Sequence, residues 1–343
     1  MKCLGKSTDW NYRGRFIVTK TVLNNAELKK YICGAVYFKE NDGIIPYRFT
    51  KEQMDNADDA ARKIRHSTGT GIKIDFYSDT EELSFNYTAF TEFTSDIYKL
   101  YFFDVYSDDV LVLHQGEKNV CEDRYGTINV KFKTGNKRVT IYLPGSCAVK
   151  ITDFSISNGA RISPVSYDGK TVFFGDSITH AAYVDFPSLT YANLISKRLN
   201  CYTVNQAIGG DVFSKHHLEN LPKMDFDTVF VAYGTNDWKW ANDNSPERIG
   251  EFFSILNDLY SKSKKYVILP IWRGDADENT ELTYSFYDIR KIIKDAAFKY
   301  KMNVIDIFDL MPHEPKLFYD GYLHPNEMGF AFYADEVEKY LVR

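Results

Sequence analysis

Four short polar segments carry the residue types that acyl transfer needs: Gly175-Asp176-Ser177, Ala207-Ile208-Gly209-Gly210-Asp211, Gly234-Thr235-Asn236-Asp237 and Asp320-Gly321-Tyr322-Leu323-His324-Pro325. A serine hydroxyl is a weak nucleophile until an imidazole removes its proton, and His324 is the candidate base for Ser177. A tetrahedral intermediate needs donors aimed at its oxyanion. The backbone N–H of Ser177, the N–H of Gly210 and the side-chain amide of Asn236 would supply three, each worth about 3 kcal/mol. Glycine suits position 210, because a residue without Cβ lets its N–H come close to a substrate. A carboxylate is then wanted to hold the imidazole tautomer, and Asp320 is the nearest in sequence.

Each segment also has a plain structural reading. Gly-Asp-Ser is a common turn, Gly209-Gly210 a common loop, and Asn236-Asp237 can cap a helix. His324 can be a solvated loop histidine. The conjunction decides for catalysis, because all four segments occur in this order and each follows an expected strand or precedes the last helix. Weaker candidates for substrate contact are Asp176, Trp238, Trp272 and Arg273. Trp238 and Trp240 follow the third segment and either wall a pocket or pack in the core. Arg273 either binds a substrate carboxylate or hydroxyl cluster or pairs with Asp275 or Asp277. His180 is expected on the surface at a helix start. His216-His217 suggests a metal pair, but neighbours in a helix point apart and no third ligand is evident. Ser67–Gly71 (STGTG) lacks a following Lys and precedes a strand, so it is no phosphate loop.

The elements that must hold these residues change character near residue 160. Before it lie short runs of alternating apolar and polar residues, rich in β-branched and aromatic types: Gly71–Tyr77, Glu82–Thr88, Ile97–Val105, Val110–His114, Thr127–Phe132 and Arg138–Leu143. Turn residues separate them, which predicts an all-β sandwich of jelly-roll type. One helix is expected over Lys51–Arg65, with Thr50 and Gln53 as a capping box. After it, the runs at Thr171–Phe174, Thr203–Asn205, Thr228–Tyr233, Tyr266–Ile271 and Val304–Phe308 are mostly apolar without alternation, as strands buried on both faces are. Helical spacing fills the gaps, at Ile249, Phe252, Phe253, Leu256 and Leu259, and again at Phe330, Tyr333, Ala334, Val337 and Leu341. Five β-α units make a doubly wound α/β domain, whose ligands sit beyond the carboxyl ends of the strands. The expected division is 1–165 and 166–343.

Composition narrows the function classes. The 343 residues carry 42 Lys+Arg against 47 Asp+Glu, a net charge of −5, so no bulk positive field draws in nucleic acid. No run reaches the ~18 apolar residues of a membrane span. Five scattered cysteines without a C-x-x-C pair indicate free thiols in a reducing compartment, and the first residues hold no signal-like apolar run. The expected location is the cytoplasm, with no metal or organic cofactor and no nucleic-acid or membrane partner; the oligomeric state is left open. The 25 Tyr and 25 Phe fit either a large aromatic core or surfaces that stack on sugar rings.

These segments give the second half of the chain a resemblance to the SGNH hydrolases, the GDSL-type esterase superfamily. Gly175-Asp176-Ser177 is similar to that family's nucleophile block, Gly210 to its oxyanion glycine, Gly234-Thr235-Asn236-Asp237 to its oxyanion asparagine block and His324-Pro325-Asn326 to its histidine block. The resemblance covers about Lys170–Arg343 and implies a flavodoxin-like three-layer sandwich around a five-stranded parallel sheet. It also implies a serine esterase acting through Ser177 and His324. The β-rich half is similar to the accessory domains of carbohydrate acetylesterases, which implies small acyl esters, acetyl groups on sugars above all. A lipid-type or thioester acyl hydrolase would use the same residues, and an inactive carbohydrate-binding protein is the alternative of another class. One departure stands out: Asp320 lies four residues before His324, where the family has three. That spacing predicts that Asp320→Ala slows turnover much less than Ser177→Ala or His324→Ala.

Overall fold

The computed structural model describes residues 20–57, 60–90, 101–118, 122–181, 183–278 and 281–341. Cys3, Cys121 and the start of the run expected at Ile97–Val105 lie outside them. The first half forms two antiparallel sheets. In one, β1 (Lys20–Val22), β3 (Tyr37–Glu40), β4 (Ile44–Tyr47), β6 (Glu82–Phe90), β9 (Arg124–Lys131) and β11 (Ala148–Ser157) run in the order β3-β4-β11-β6-β9, with β1 beside β11. In the other, β2 (Ile32–Cys33), β5 (Lys73–Ser78), β7 (Tyr101–Ser107), β8 (Val110–Glu117), β10 (Lys137–Tyr142) and β12 (Ile162–Pro164) run in the order β12-β5-β10-β7-β8, with β2 beside β5. Alternation points every second side chain of β6 inward. Phe85 thereby meets Phe103 and Phe154 in a core shared with Ile74, Phe76, Ile128 and Ile141.

The expected helix over Lys51–Arg65 is two pieces, α2 (Lys51–Asp55) and α3 (Ala60–Ser67), after the four-residue α1 (Asn25–Leu28). Thr50 and Gln53 do form the reciprocal capping box of α2. Strands β1 to β4, β11 and β12 were not expected. Strand β11 escapes the alternation pattern because Asp153 adopts φ 52° and the register against β6 shifts between Thr152 and Ser155.

The second half builds one parallel sheet from β13 (Gly169–Gly175), β14 (Cys201–Asn205), β15 (Thr228–Ala232), β16 (Lys264–Ile268) and β17 (Asn303–Ile305), in the order β14-β13-β15-β16-β17. By chain position this is the 2-1-3-4-5 order of flavodoxin-like folds, with its switch point between β13 and β15. Five helices serve it: α4 (Ser177–His180), α5 (Tyr191–Arg198), α6 (Thr235–Trp240), α7 (Ser245–Leu259) and α8 (Phe286–Lys299), followed by α9 (Glu327–Leu341) at the end of the chain. Val172, Phe174, Val229, Val231 and Val267 face α7 and α8, whereas Phe173, Phe230, Tyr266 and Ile268 face α5 and α9. Both faces of the sheet are therefore covered, as the uninterrupted apolar runs predicted.

Candidate active site

Strand β13 ends at Gly175, where a Cβ would fall 2.3 Å from Thr179 Oγ1 and 2.9 Å from Ala232 O. A side chain would collide with both, so only glycine fits there. Asp176 caps α4, its Oδ1 accepting the Ile178 N–H at 3.0 Å, and Ser177 opens the helix. Ala181 stops α4 in the left-handed region (φ 54°). The Ser177 N–H, at the first helical position, has no intrahelical acceptor.

Asp320 organises the other side. Its Oδ1 accepts three backbone N–H groups, from Tyr322 (3.1 Å), Leu323 (2.8 Å) and His324 (3.0 Å). Its Oδ2 accepts the His324 Nδ1–H at 2.6 Å, and His324 Nε2 accepts from Ser177 Oγ at 2.8 Å. The additional residue in this loop is absorbed by Gly321, at φ 80°, so a four-residue spacing still brings carboxylate and ring together. Burial pushes the Asp320 carboxyl up, but hydrogen bonds from His324 and from the Leu323 and His324 amides outweigh it and hold the group well below the usual carboxylate range. Tyr183 packs on the imidazole with ring centroids 4.5 Å apart.

Gly210 and Asn236 meet through Asp211. Asn236 lies just inside α6 and donates from Nδ2 to Asp211 O at 2.9 Å, which leaves its second amide hydrogen for another acceptor. Gly210 is exposed, with φ 83°. Beneath these donors lie three buried acids. Asp211 pairs with Arg62 (2.9 Å), and Asp237 takes Arg248 (3.0 Å) and the Phe213 N–H. Burial above all pushes Asp176 up to about 7 and Asp237 up to about 6.

Residues 173–332 match the GDSL-like lipase/acylhydrolase family. The second half of the chain carries a GDSL-type hydrolase domain. This family places the protein among the carboxylic ester hydrolases. No curated protein matches the sequence. Among solved structures, a salicylyl-acyltransferase, SsfX3 from a tetracycline biosynthetic pathway, superposes with a TM-score of 0.77 at 16% identity, covering 94% of this chain and 97% of the other. A putative GDSL-like lipase from Bacteroides ovatus superposes with a TM-score of 0.72 at 17% identity, over 94% and 98% of the two chains. An acetyl xylan esterase, Est2A from the rumen bacterium Butyrivibrio proteoclasticus, gives 0.62 at 14% identity over 94% and 97%. These are likenesses of fold, and they span the β-rich half as well as the GDSL-type domain.

Beside Asn236 the GDSL-type domain opens into a cleft of about 670 Å³, lined among others by Lys239, Trp240, Trp272, Arg273, Glu278 and Tyr322. Against Ser177 and His324, the side chains of Ile178, Val184, Pro325 and Phe330 leave only a shallow apolar hollow with no room for a water molecule. Trp272 lines the cleft and stacks on His313 at 5.4 Å. Arg273 also borders it, but its guanidinium is committed to Asp275 (2.6 and 2.9 Å) and to Thr235.

Two expected substrate contacts need correcting. Trp238 is 0% exposed, packed edge-on against Phe286 with the Arg273 guanidinium 4.6 Å from its ring; Trp240, 73% exposed, is the tryptophan of α6 that meets the cleft. Asp176 is buried in its capping role and does not line the cleft. His180 is likewise no surface residue: it is fully buried. His216 is exposed and pairs with Glu219, and among the described residues no three metal-binding side chains cluster. No helix among the described residues is long and apolar enough to cross a membrane. Residue types and spacing assign no role to Tyr322, Arg48 or Thr68. For Arg48 a signal was there: a lone charge between the apolar run Ile44–Tyr47 and Phe49 has to be either a turn or a buried clamp.

Proposed function

We propose that the chain is a serine esterase that removes small acyl groups, acetyl foremost, from carbohydrate. The observation that carries this reading is the unbroken relay from Ser177 Oγ through His324 to Asp320, at 2.8 and 2.6 Å. Ser177 Oγ attacks the ester carbonyl carbon while its proton passes to His324 Nε2 and the carbonyl electron pair moves onto oxygen. The Ser177 and Gly210 amides and the free Asn236 hydrogen receive that oxyanion. Collapse breaks the bond to the alcohol, which leaves with the proton from His324. Water then enters, gives its proton to His324 and releases the acid by the same route. Asp320, held ionised, keeps Nδ1 protonated and stabilises the imidazolium at each step.

The substrate assignment draws on the cleft. Trp240, Trp272 and Tyr322 offer aromatic faces for sugar rings, and Lys239 and Glu278 offer hydroxyl partners. The apolar hollow beside the nucleophile has no room even for a water molecule, which disfavours a long acyl chain there. Similar folds include the acetyl xylan esterase and a family two carbohydrate esterase from Clostridium thermocellum solved with cellohexaose (TM-score 0.62, 12% identity, covering 90% of this chain and 98% of that one). Hydrolysis of p-nitrophenyl acetate, butyrate and octanoate and of acetylated xylo-oligosaccharides tests the reading. Wild type is expected to prefer acetate and Ser177→Ala to be inert. A preference for octanoate would replace it with a lipid-type hydrolase, and turnover surviving in Ser177→Ala would overturn the mechanism.

A further inference from the structure

The loop that carries Gly210 is held from behind by the β-rich half of the chain. Arg48, directly after β4, is fully buried, and each of its five N–H groups has an acceptor. Nη1 donates to Asn205 O (2.8 Å) and Ala207 O (2.6 Å), Nε to Thr68 O (3.2 Å), and Nη2 to Arg65 O (2.7 Å) and Thr68 Oγ1 (3.2 Å). Asn205 and Ala207 begin the segment that runs on into Gly209 and Gly210. The buried Thr68 hydroxyl donates to Arg65 O at 3.0 Å and lies 2.9 Å from His180 Nε2. His180 Nδ1 lies 3.1 Å from the Gly209 N–H. An amide only donates, so Nδ1 must be the acceptor and the ring proton must sit on Nε2, pointing at Thr68. Burial first, then the nearby Arg48 and Arg65, hold His180 well below the ordinary imidazole value, which keeps the ring neutral and Nδ1 an acceptor. The Gly209 amide is thus tied inward, and Gly210, at φ 83°, carries the next amide in the chain.

We propose that Arg48, Thr68 and His180 are positioning residues that hold the Gly209–Gly210 amides in register for the oxyanion, making the β-rich half a working part of the catalytic site. None of the three touches substrate; each acts through the backbone of the loop. The proposal rests on the esterase reading above. Its physical basis is that oxyanion donors help only when they are already in place, and a misplacement of the order of 1 Å costs about 100-fold. A loop that ends in two glycines has little stiffness of its own, so its rigidity must come from partners.

The test compares wild type with His180→Leu, His180→Asn and Thr68→Val, using p-nitrophenyl acetate and a trifluoromethyl ketone inhibitor. Ser177 Oγ adds to the ketone carbon, its proton goes to His324, and the carbonyl oxygen becomes an oxyanion in the same place as in catalysis. His180→Leu is expected to lower kcat by about 10- to 100-fold, with KM within about two-fold and inhibitor affinity weakened in parallel with kcat. His180→Asn, which keeps an acceptor near the position of Nδ1, is expected to recover much of that loss. Thr68→Val, equal in size but without the hydroxyl, decides the matter should His180→Leu not fold. Folded variants with unchanged kcat and inhibitor affinity, or with a raised KM alone, would overturn the proposal. Failure of both Thr68→Val and His180→Leu to fold would assign the cluster to stability and overturn it too. Turnover that persists in Ser177→Ala would instead remove the esterase reading itself.

Discussion

Replacing Asp320 by Asn isolates what the carboxylate does to the imidazole from what it does to the loop. The three backbone N–H groups that converge on Oδ1, at 2.8 to 3.1 Å, fix the orientation of the new amide. A flipped amide would set its NH2 against three donors, so the carbonyl oxygen stays there and the loop survives. The NH2 then occupies the place of Oδ2, 2.6 Å from His324 Nδ1. Two N–H groups cannot face each other at that distance, so the ring must move its proton to Nε2. That nitrogen lies 2.8 Å from Ser177 Oγ, where it can no longer accept.

Reaching the productive tautomer in this variant forfeits a charge-assisted hydrogen bond of about 1.5–3 kcal/mol. It also forfeits the attraction between carboxylate and imidazolium, about 4 kcal/mol at ~4 Å near a protein surface. Asp320 and His324 side chains are 28% and 15% exposed, so screening trims the sum to about 4–5 kcal/mol, or roughly a thousand-fold. Asp320→Ala locks no tautomer, and at a position open to solvent a water can accept from Nδ1. Its loss of rate is therefore expected to be smaller, about 100-fold, but it strips the acceptor from three amides and so costs more stability. The assay is kcat/KM on p-nitrophenyl acetate for both variants beside Ser177→Ala and His324→Ala, with urea unfolding as the control for the fold. An Asp320→Asn enzyme retaining more than about a tenth of wild-type kcat/KM would refute the tautomer argument, as would a folded Asp320→Ala slower than Asp320→Asn. Residue spacing alone pointed to a mild effect for Asp320→Ala; the geometry puts Asp320 Oδ2 2.6 Å from His324 Nδ1.

Trp240→Ala is expected to raise KM for acetylated xylo-oligosaccharides and to leave p-nitrophenyl acetate within about two-fold, whereas Trp238→Ala should cost about 3–5 kcal/mol in urea unfolding. A Trp238→Ala protein of unchanged stability with a raised KM would contradict the burial on which that distinction rests. Asp176 and Asp237 are pushed up to about 7 and about 6, so the folded state binds their protons more tightly than the unfolded chain does. Their contribution therefore erodes stability as pH rises from about 4 towards 7. Asp176→Asn keeps the acceptor for the Ile178 N–H and should flatten that decline; urea midpoints at pH 5 and pH 8 with equal differences for variant and wild type would argue against it.

How far the site was legible follows from how far apart its partners lie in the chain. Ser177, Asn236 and Gly210 are marked by short motifs at strand ends, and the strands that present them are buried on both faces, which a continuous apolar run records directly. The Asp320–His324 link was harder, because a change of one residue in spacing leaves open whether a turn will absorb it; here Gly321 does, at φ 80°. Trp238 and Trp240 are two apart in one helix and so face different ways. Composition cannot say which way is inward; the Arg273 guanidinium over the Trp238 ring settles it, from 35 positions away.

The clamp behind the oxyanion loop was the least legible part. Arg48 bonds to carbonyls 157 and 159 residues distant, and Thr68 meets His180 across 112. Main-chain acceptors have no side-chain identity to read, so nothing local announces such a bond. The physical consequence runs against a modular view of the chain. Excising the β-rich half would leave Ser177, Asp320 and His324 in place, yet it would free the carbonyls of Asn205 and Ala207 and remove the hydroxyl partner of His180 Nε2. Water would replace Arg48 at those carbonyls, so the loop would lose its fixed partners, and it ends in two glycines that cannot resist the rearrangement. The relay would then survive with its oxyanion donors out of register, so the two halves are better regarded as one catalytic unit than as an enzyme with an appended module.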